Sequence, residues 1–256
     1  YHGSAQGLGA LPAWVKSVNV LGSGVFGWSV GTAGDVNGDG FGDLIVSSGA
    51  GGNPDGAVYV YHGSPDGLFT SHAWSRFSDQ DTASFGYSVM TAGDVNGDGY
   101  ADVIIGAPLY DSGEEDEGRV YLYQGSADGL LAAPSWFQDG GQIDGQFGRT
   151  VAPAGDVNGD GFADIMAGTM RHDGAGVDQG RAVLYLGSAS GLAASPEWQT
   201  EGSHAQAYLG CSLGTAGDVN GDGFSDLIVG EFGYSVDSSY AGRALVFHGA
   251  PHGLSA

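Results

Sequence analysis

The sequence predicts an all-β propeller built from four blades of four antiparallel strands, and three observations carry that expectation. Fifty glycines, eight prolines and 41% hydrophobic residues in a chain of 256 suit many short strands joined by tight turns. The string GDVNGDG recurs from Gly34, Gly93, Gly155 and Gly217, at spacings of 59, 62 and 62 residues. Each recurrence lies in the same succession of short apolar runs, and self-similarity at such a period marks a repeat architecture.

Each unit opens with an alternating segment, strand A, such as GWSVGTAGD (27–35) or GYSVMTAGD (86–94), which runs into the acidic loop. Strand B follows at once as DLIVSS (43–48), DVIIGA (102–107), DIMAGT (164–169) and DLIVGE (226–231), short and rich in β-branched side chains. After a variable loop come GAVYVYHGS (56–64), GRVYLYQGS (118–126), GRAVLYLGS (180–188) and GRALVFHGA (242–250), which alternate and form strand C. A turn containing DGL or SGL leads to strand D, centred on Trp14, Trp74, Trp136 and Trp198. One large apolar residue per blade at a matched position is what packing on the neighbouring blade requires, and this reading outweighs a glycan-stacking series. The strand C tyrosines, Tyr59, Tyr61, Tyr121, Tyr123 and Tyr185, are read the same way.

The ends fit this frame. Residues 1–8 repeat the end of strand C, residues 12–20 supply a strand D with no A, B or C before it, and residues 242–254 supply a strand C with no D after it. The simplest closure pairs that first strand with the last A, B and C, removing the open edge. The chain then forms a single domain, 1–256, with units at about 21–80, 81–142, 143–204 and 205–256 and residues 1–20 as the closing strand. Two alternatives stay open: two chains forming an eight-bladed ring as a homodimer, or part of a larger propeller. The chain opens at Tyr1 without methionine or a signal-like segment, so a processed product or excised piece is expected.

Seven Lys and Arg against thirty Asp and Glu give a net charge of −23, which repels nucleic acid and anionic membrane surfaces. No apolar run approaches the length of a membrane span. The single cysteine, Cys211, cannot form an internal disulfide and stands where other repeats have Trp28, Tyr87 and Arg149, so it reads as a tolerated substitution.

The acids are not scattered: three Asp in each of four loops make twelve of the thirty acidic residues. Oxygen-bearing side chains fall at loop positions 1, 3, 5 and 9 as Asp35, Asn37, Asp39 and Asp43, then Asp94, Asn96, Asp98 and Asp102. The third and fourth sets are Asp156, Asn158, Asp160 and Asp164, and Asp218, Asn220, Asp222 and Asp226. Alternate side chains in a curling loop turn to one point, glycine at position 6 permits the sharp turn, and the carbonyl of position 7 (Phe41, Tyr100, Phe162 or Phe224) can add an oxygen. Hard oxygen donors with three carboxylates select calcium, about four ions in all. The loop holds no His or Cys for zinc, and magnesium, which demands stricter octahedral geometry, ranks second. An EF-hand shares the first six positions but needs Glu at position 12, where this chain has Val46, Ile105, Ala167 or Val229. The ninth-position Asp instead opens strand B, making the loop a β-hairpin clip.

Phe-Gly at 26–27, 85–86 and 147–148, the DVNGDG loop and Gly106-Ala107-Pro108 together resemble the FG-GAP repeat of integrin α-subunit propellers. Leu209 replaces Phe in the fourth repeat, and only the second keeps a full Gly-Ala-Pro. The resemblance implies extracellular recognition, secreted or at a cell surface, as in integrin ligand binding or in the similar propeller of certain fungal lectins. Fold alone does not choose between an adhesion or protein-interaction module and a lectin.

Antiparallel strands place the A–B acidic loops and the C–D turns on one face and the B–C and D–A loops on the other. The acidic face is nearly invariant among repeats, whereas the opposite face varies, which is the usual place for a binding site on a repeated scaffold. Candidate contacts there, for a protein or glycan, are Tyr110 and Asp111 in residues 108–117, Arg171 and His172 in 169–179, and Phe232 and Tyr234 in 231–241. His172 beside Asp173 lacks a partner nucleophile at a recognisable spacing, and no phosphate loop or Ser, His and Asp set is present, so no enzyme is expected.

Overall fold

Strands form at the alternating segments and at the short apolar runs that turns separate. The computed structural model describes residues 3–4, 7–8, 11–18, 25–49, 56–236 and 239–254. Its blades are sheets of sequential antiparallel strands: Phe26–Gly34, Asp43–Ser48, Ala57–Tyr61 and Trp74–Phe77 in blade 1, then Ser88–Gly93, Asp102–Ala107, Arg119–Tyr123 and Trp136–Asp139 in blade 2. Blade 3 comprises Phe147–Gly155, Asp164–Thr169, Arg181–Tyr185 and Trp198–Glu201, and blade 4 comprises Leu209–Gly217, Asp226–Glu231 and Arg243–Phe247. The all-β, blade-by-blade expectation therefore holds. Trp74, Trp136 and Trp198 open strand D rather than centring it. Among the described residues no helix is long and apolar enough to cross a membrane.

Blades pack through a contact that repeats along the chain. The D-strand tryptophan of each blade meets the strand C aromatic of the next edge-on: Trp74 on Tyr123 at 5.0 Å between ring centroids, Trp136 on Tyr185 at 5.0 Å and Trp198 on Phe247 at 4.7 Å. The indole N–H of Trp74 donates to the Leu131 carbonyl and that of Trp136 to Ala193, so both ends of each ring are satisfied. These tryptophans are spent on packing.

Glycines set how closely the blades approach. A Cβ on Gly106 would lie 1.9 Å from the Gly148 carbonyl oxygen, and one on Gly168 would lie 2.3 Å from that of Gly210. The Gly of strand B thus nests against the Phe-Gly or Leu-Gly of the following strand A, where Gly148 and Gly210 hold φ values of +80° and +83°. That explains why the two glycine motifs travel together in one repeat.

Among the described residues, strand C of blade 4 pairs with strand B and with no fourth strand, and residues 11–18, which include most of the segment 12–20 expected to close the ring as strand D, lie in no sheet. The expected closure within one chain is thus not made among the described residues. Trp14 nevertheless packs on Tyr61 at 5.2 Å and donates to the Phe69 carbonyl, the contact a tryptophan of a preceding blade would make with blade 1. Residues 19–24, within the expected boundary between closing strand and first unit, lie outside the described residues.

Candidate functional site: the acidic loops and the opposite face

Each acidic loop is a turn wound around its own carboxylates. In blade 2, Asp94 accepts from the N–H groups of Gly97 (2.7 Å), Asp98 (3.1 Å) and Gly99 (2.8 Å), while Asn96 Oδ1 accepts from Asp98 N–H at 3.1 Å. Asp98 in turn accepts from Tyr100 N–H (3.0 Å) and from the Asn96 side-chain amide (2.8 Å). The pattern repeats around Asp156 and Asp160 and around Asp218 and Asp222, and in the first loop around Asp35, Asn37 and Asp39. Glycine is required at loop positions 4 and 6, since Gly97 and Gly99 hold φ values of +72° and +92°. The sequence marks position 6 for this; position 4 adds a second left-handed residue.

The ninth-position Asp ties the loop to the sheet. Asp102 is fully buried and accepts from Val95 N–H (3.0 Å) across the loop and from Gly125 N–H (2.9 Å) at the end of strand C. Asp43, Asp164 and Asp226 make the equivalent pairs with Val36 and Gly63, Val157 and Gly187, and Val219 and Gly249. Burial pushes Asp102 up to about 7, and the nearby charges of Asp98 and Asp94 add to the rise against the two N–H groups. Asp164 is likewise pushed up to about 7 by burial, with Asp160 and Asp156 adding. In blade 4, burial also raises Asp226, but the N–H groups of Gly249 and Val219 and the His248 side chain outweigh it and hold the carboxyl low.

Each loop carries three carboxylates, an amide oxygen and a backbone carbonyl within nine residues, hard oxygen donors of the kind calcium takes. As the loops stand, their carboxylates are turned onto backbone N–H groups, and among the described residues no three Asp, Glu, His or Cys side chains suffice to hold an ion by themselves.

The structure also brings two imidazoles to the loops, which the sequence pattern did not single out. His62 Nδ1 lies 3.3 Å from the Asn37 side-chain nitrogen, and His248 Nδ1 lies 3.3 Å from Asp226 Oδ1. Both stand at the end of strand C, where blades 2 and 3 have Gln124 and Leu186. Only the return of strand C beside the loop creates this neighbourhood.

On the opposite face, the B–C and D–A loops are knitted together. Gln80 exchanges two side-chain hydrogen bonds with the backbone of Asp111, Gln142 does so with Asp173, and His204 accepts from Ser235 N–H. The six candidate ligand contacts divide in two. Tyr110 and Tyr234 lie against Arg119 and Arg243, at 4.0 Å and 4.1 Å from guanidinium to ring centroid, so both rings are occupied within their own blades. His172 is half-buried and pairs with Glu201 at 3.4 Å rather than with its neighbour Asp173, and burial holds its pKa below the usual value. Asp111 and Arg171 are exposed, and Phe232 is 63% exposed beside Tyr208. Asp111, Arg171 and Phe232 are thus the candidates still presented to solvent.

The FG-GAP repeat profile matches residues 26–61, 85–123, 147–185 and 212–247. Among curated proteins the chain is 33% identical over 240 residues to integrin alpha-5 of Xenopus laevis, covering 90% of this chain and 22% of that protein. It is 35% identical over 233 residues to integrin alpha-V of Gallus gallus, covering 86% of this chain and 21% of the relative. The chain thus spans about a fifth of the length of these relatives. Among solved structures, the crystal structure of rhamnogalacturonan lyase YesW aligns with a TM-score of 0.49 at 17% identity, covering 86% of this chain and 42% of that one.

Proposed function

The chain belongs to the FG-GAP repeat family, and on that premise we propose that it is a calcium-stabilised, extracellular β-propeller module of adhesion or protein interaction. The observation that carries this reading is the division of labour between the two faces. One face repeats a single oxygen-rich loop four times and uses it to join strands and blades; the other carries loops that differ in every repeat.

Each ion would be held by the carboxylates at positions 1, 5 and 9, the Asn oxygen at position 3 and the carbonyl of Phe41, Tyr100, Phe162 or Phe224. When bound, calcium supplies positive charge that neutralises the crowded carboxylates. The residues themselves favour a structural site: the first and fifth Asp hold the turn through its own N–H groups, the loop carbonyls join the next blade, and the ninth Asp anchors the loop to the buried end of strand C. A catalytic metal instead needs an open position beside an acid or base. On the variable face His172 is paired with Glu201, which supports a binding role over an enzymatic one.

Ligand recognition is assigned to the variable face, through Arg171, Asp111 and Phe232, by a protein partner. A glycan partner is the second reading, favoured by Phe232, whose ring stands 5.6 Å from that of Tyr208 and leaves an exposed aromatic surface. Binding to arrays of extracellular-matrix proteins and of glycans separates the two. Phe232→Ala and Arg171→Ala are expected to reduce protein binding at least tenfold while leaving the melting temperature within about 1 °C, since exposed substitutions are near neutral. Binding that survives both changes, or that is lost on substituting a loop of the acidic face alone, would contradict the assignment.

A further inference from the structure

We propose that Arg181, Thr169 and His172, at the variable-face end of blade 3, form a binding site for one small monovalent carboxylate, of the size of formate. The blades differ there at one matched row of residues. In blade 2 the row is Ala107, Arg119 and Asp139, paired in register across strands B, C and D. Arg119 donates through Nε and Nη2 to the two carboxylate oxygens of Asp139, and the Tyr110 ring lies 4.0 Å from the guanidinium. In blade 4 the carboxylate comes from strand B instead. Glu231 stands in register with Arg243 and accepts from its Nε, with the Tyr234 ring 4.1 Å away. Blade 1 has no arginine in the row, where Ala57 pairs with Ser48.

Blade 3 has the arginine without the matching carboxylate on its Nε. Thr169 pairs in register with Arg181 at the place of Glu231, and its shorter side chain carries a hydroxyl instead of an acid. Glu201 pairs with Arg181 at the place of Asp139, but His172 Nε2 engages it at 3.4 Å, and His172 is the counterpart of Tyr110 and Tyr234. Three buried polar atoms of this one group have no hydrogen-bond partner: Thr169 Oγ1, His172 Nδ1 and Arg181 Nε. Thr169 itself is fully buried, where an unpaired hydroxyl is costly. The group is also tied together through the backbone. His172 N–H donates to the Thr169 carbonyl (3.2 Å) and Gly180 N–H to the His172 carbonyl (3.0 Å), which folds the loop back to the start of strand C.

The electrostatics point the same way. Burial lowers the pKa of Arg119, but the hydrogen bond and charge of Asp139 outweigh it and the net shift is upward. For Arg181 burial prevails over the nearby Tyr185 and Glu201, and the pKa falls. Burial and the Arg181 charge likewise hold His172 low, against Glu201, which is its partner, and Asp173, which is exposed and accepts from Asp178 N–H at 2.7 Å. Both cations of blade 3 thus lack the anionic neighbour that the arginines of blades 2 and 4 possess.

A small carboxylate supplies that neighbour. Arg181 Nε–H, the Thr169 hydroxyl and Nδ1–H of a protonated His172 are three donors for its oxygens, while His172 Nε2 stays on Glu201. Arg181 and the imidazolium bring two positive charges, Glu201 brings one negative charge, and a single monovalent anion balances the remainder. The class of ligand follows from blades 2 and 4, where a carboxylate is what meets the arginine Nε. Because His172 takes up a proton with the anion, binding strengthens as pH falls through the range in which imidazole titrates. The site does not depend on which partner the variable face takes.

Calorimetry of the full chain in calcium tests this, with sodium formate as the probe and sodium isethionate, too bulky for a buried site, as the reference at equal ionic strength. Formate is expected to raise the melting temperature saturably, by about 2 °C or more at pH 6 and by less at pH 8. By NMR, the Arg181 Nε–H resonance is expected to move over the same range of formate concentration. Thr169→Glu gives blade 3 the strand B carboxylate of blade 4, and is expected to raise the melting temperature in isethionate and to cancel the formate effect. Arg181→Leu is expected to cancel it too, and carries the test if Thr169→Glu misfolds. Equal melting in the two salts is the result expected if water alone satisfies the three atoms, and it would overturn the site. A formate effect that survives either substitution in a folded chain, or that is larger at pH 8 than at pH 6, would overturn it as well.

Discussion

Removing calcium should lower the melting temperature by about 10 °C or more at pH 7.5, and by much less at pH 5. An ion bound only by the folded chain stabilises it by mass action, on the order of 2.7 kcal/mol per site at a hundredfold excess over Kd, and the chain offers four such loops. The pH dependence follows from Asp102 and Asp164, whose folded values near 7 lie above the ordinary 3.8. Below about pH 4 both carboxyls are protonated whether folded or not, and neither affects stability. As pH rises from there towards 7, the unfolded chain gives up these protons first, so the metal-free protein loses stability across that window, on the order of a few kcal/mol per carboxyl. Calcium takes the place of the protons, so its stabilisation grows over the same window. Glu231 acts in a different range. Burial raises its pKa, but hydrogen bonds from Ser203 and the ion pair with Arg243 outweigh that and hold it low, so its contribution is lost only in acid below about pH 4.5. Differential scanning calorimetry in calcium and in chelator at both pH values reads the effect. Equal melting temperatures in calcium and chelator at pH 7.5 would contradict it.

Substitution at position 9 of a loop should cost far more than substitution at position 5. Asp98→Ala removes one ligand from an exposed turn and is expected to abolish one calcium site while leaving the metal-free melting temperature within about 2 °C. Asp102→Ala also removes the acceptor for two buried N–H groups, Val95 and Gly125, and leaves a gap where strand C meets the loop. Unsatisfied buried donors cost about 1–3 kcal/mol each, so a loss of several kcal/mol is expected even in chelator. Relief of the buried carboxylate's own raised pKa works the other way above pH 7, and Asp102→Asn, which keeps an acceptor without charge, should fall between wild type and Asp102→Ala in chelator. Urea unfolding of the three variants, with and without calcium, provides the comparison. An Asp102→Ala variant no less stable than Asp98→Ala in chelator would show that position 9 is only a ligand.

Much of this was legible because the repeat supplies its own alignment. Strand B begins at the ninth-position Asp in every unit, and its bounds in the structure, Asp43–Ser48, Asp102–Ala107, Asp164–Thr169 and Asp226–Glu231, coincide with the apolar runs read from the sequence. The packing role of the tryptophans followed from their matched spacing. What spacing could not convey is which side of a blade is covered. Val219 and Val157 occupy identical positions in identical strings, yet one is exposed and the other buried, because burial here is supplied by the next blade. The closing strand was inferred from the same periodicity, but closure depends on the angle each blade turns, a sum of packing distances such as Gly106 against Gly148 that no local pattern records. His62 and His248 escaped notice for a similar reason, since they reach the acidic loops only through the return of strand C. On the variable face, residue type suggested six contacts, and tertiary partners engage Tyr110, Tyr234 and His172.

Isothermal titration of the chelator-stripped chain with calcium, at pH 7.5, tests the central claim most directly. Four equivalents are expected, falling to three in Asp98→Ala, because each of the four loops carries the same nine-position set of oxygen donors. A stoichiometry of one or none would contradict it.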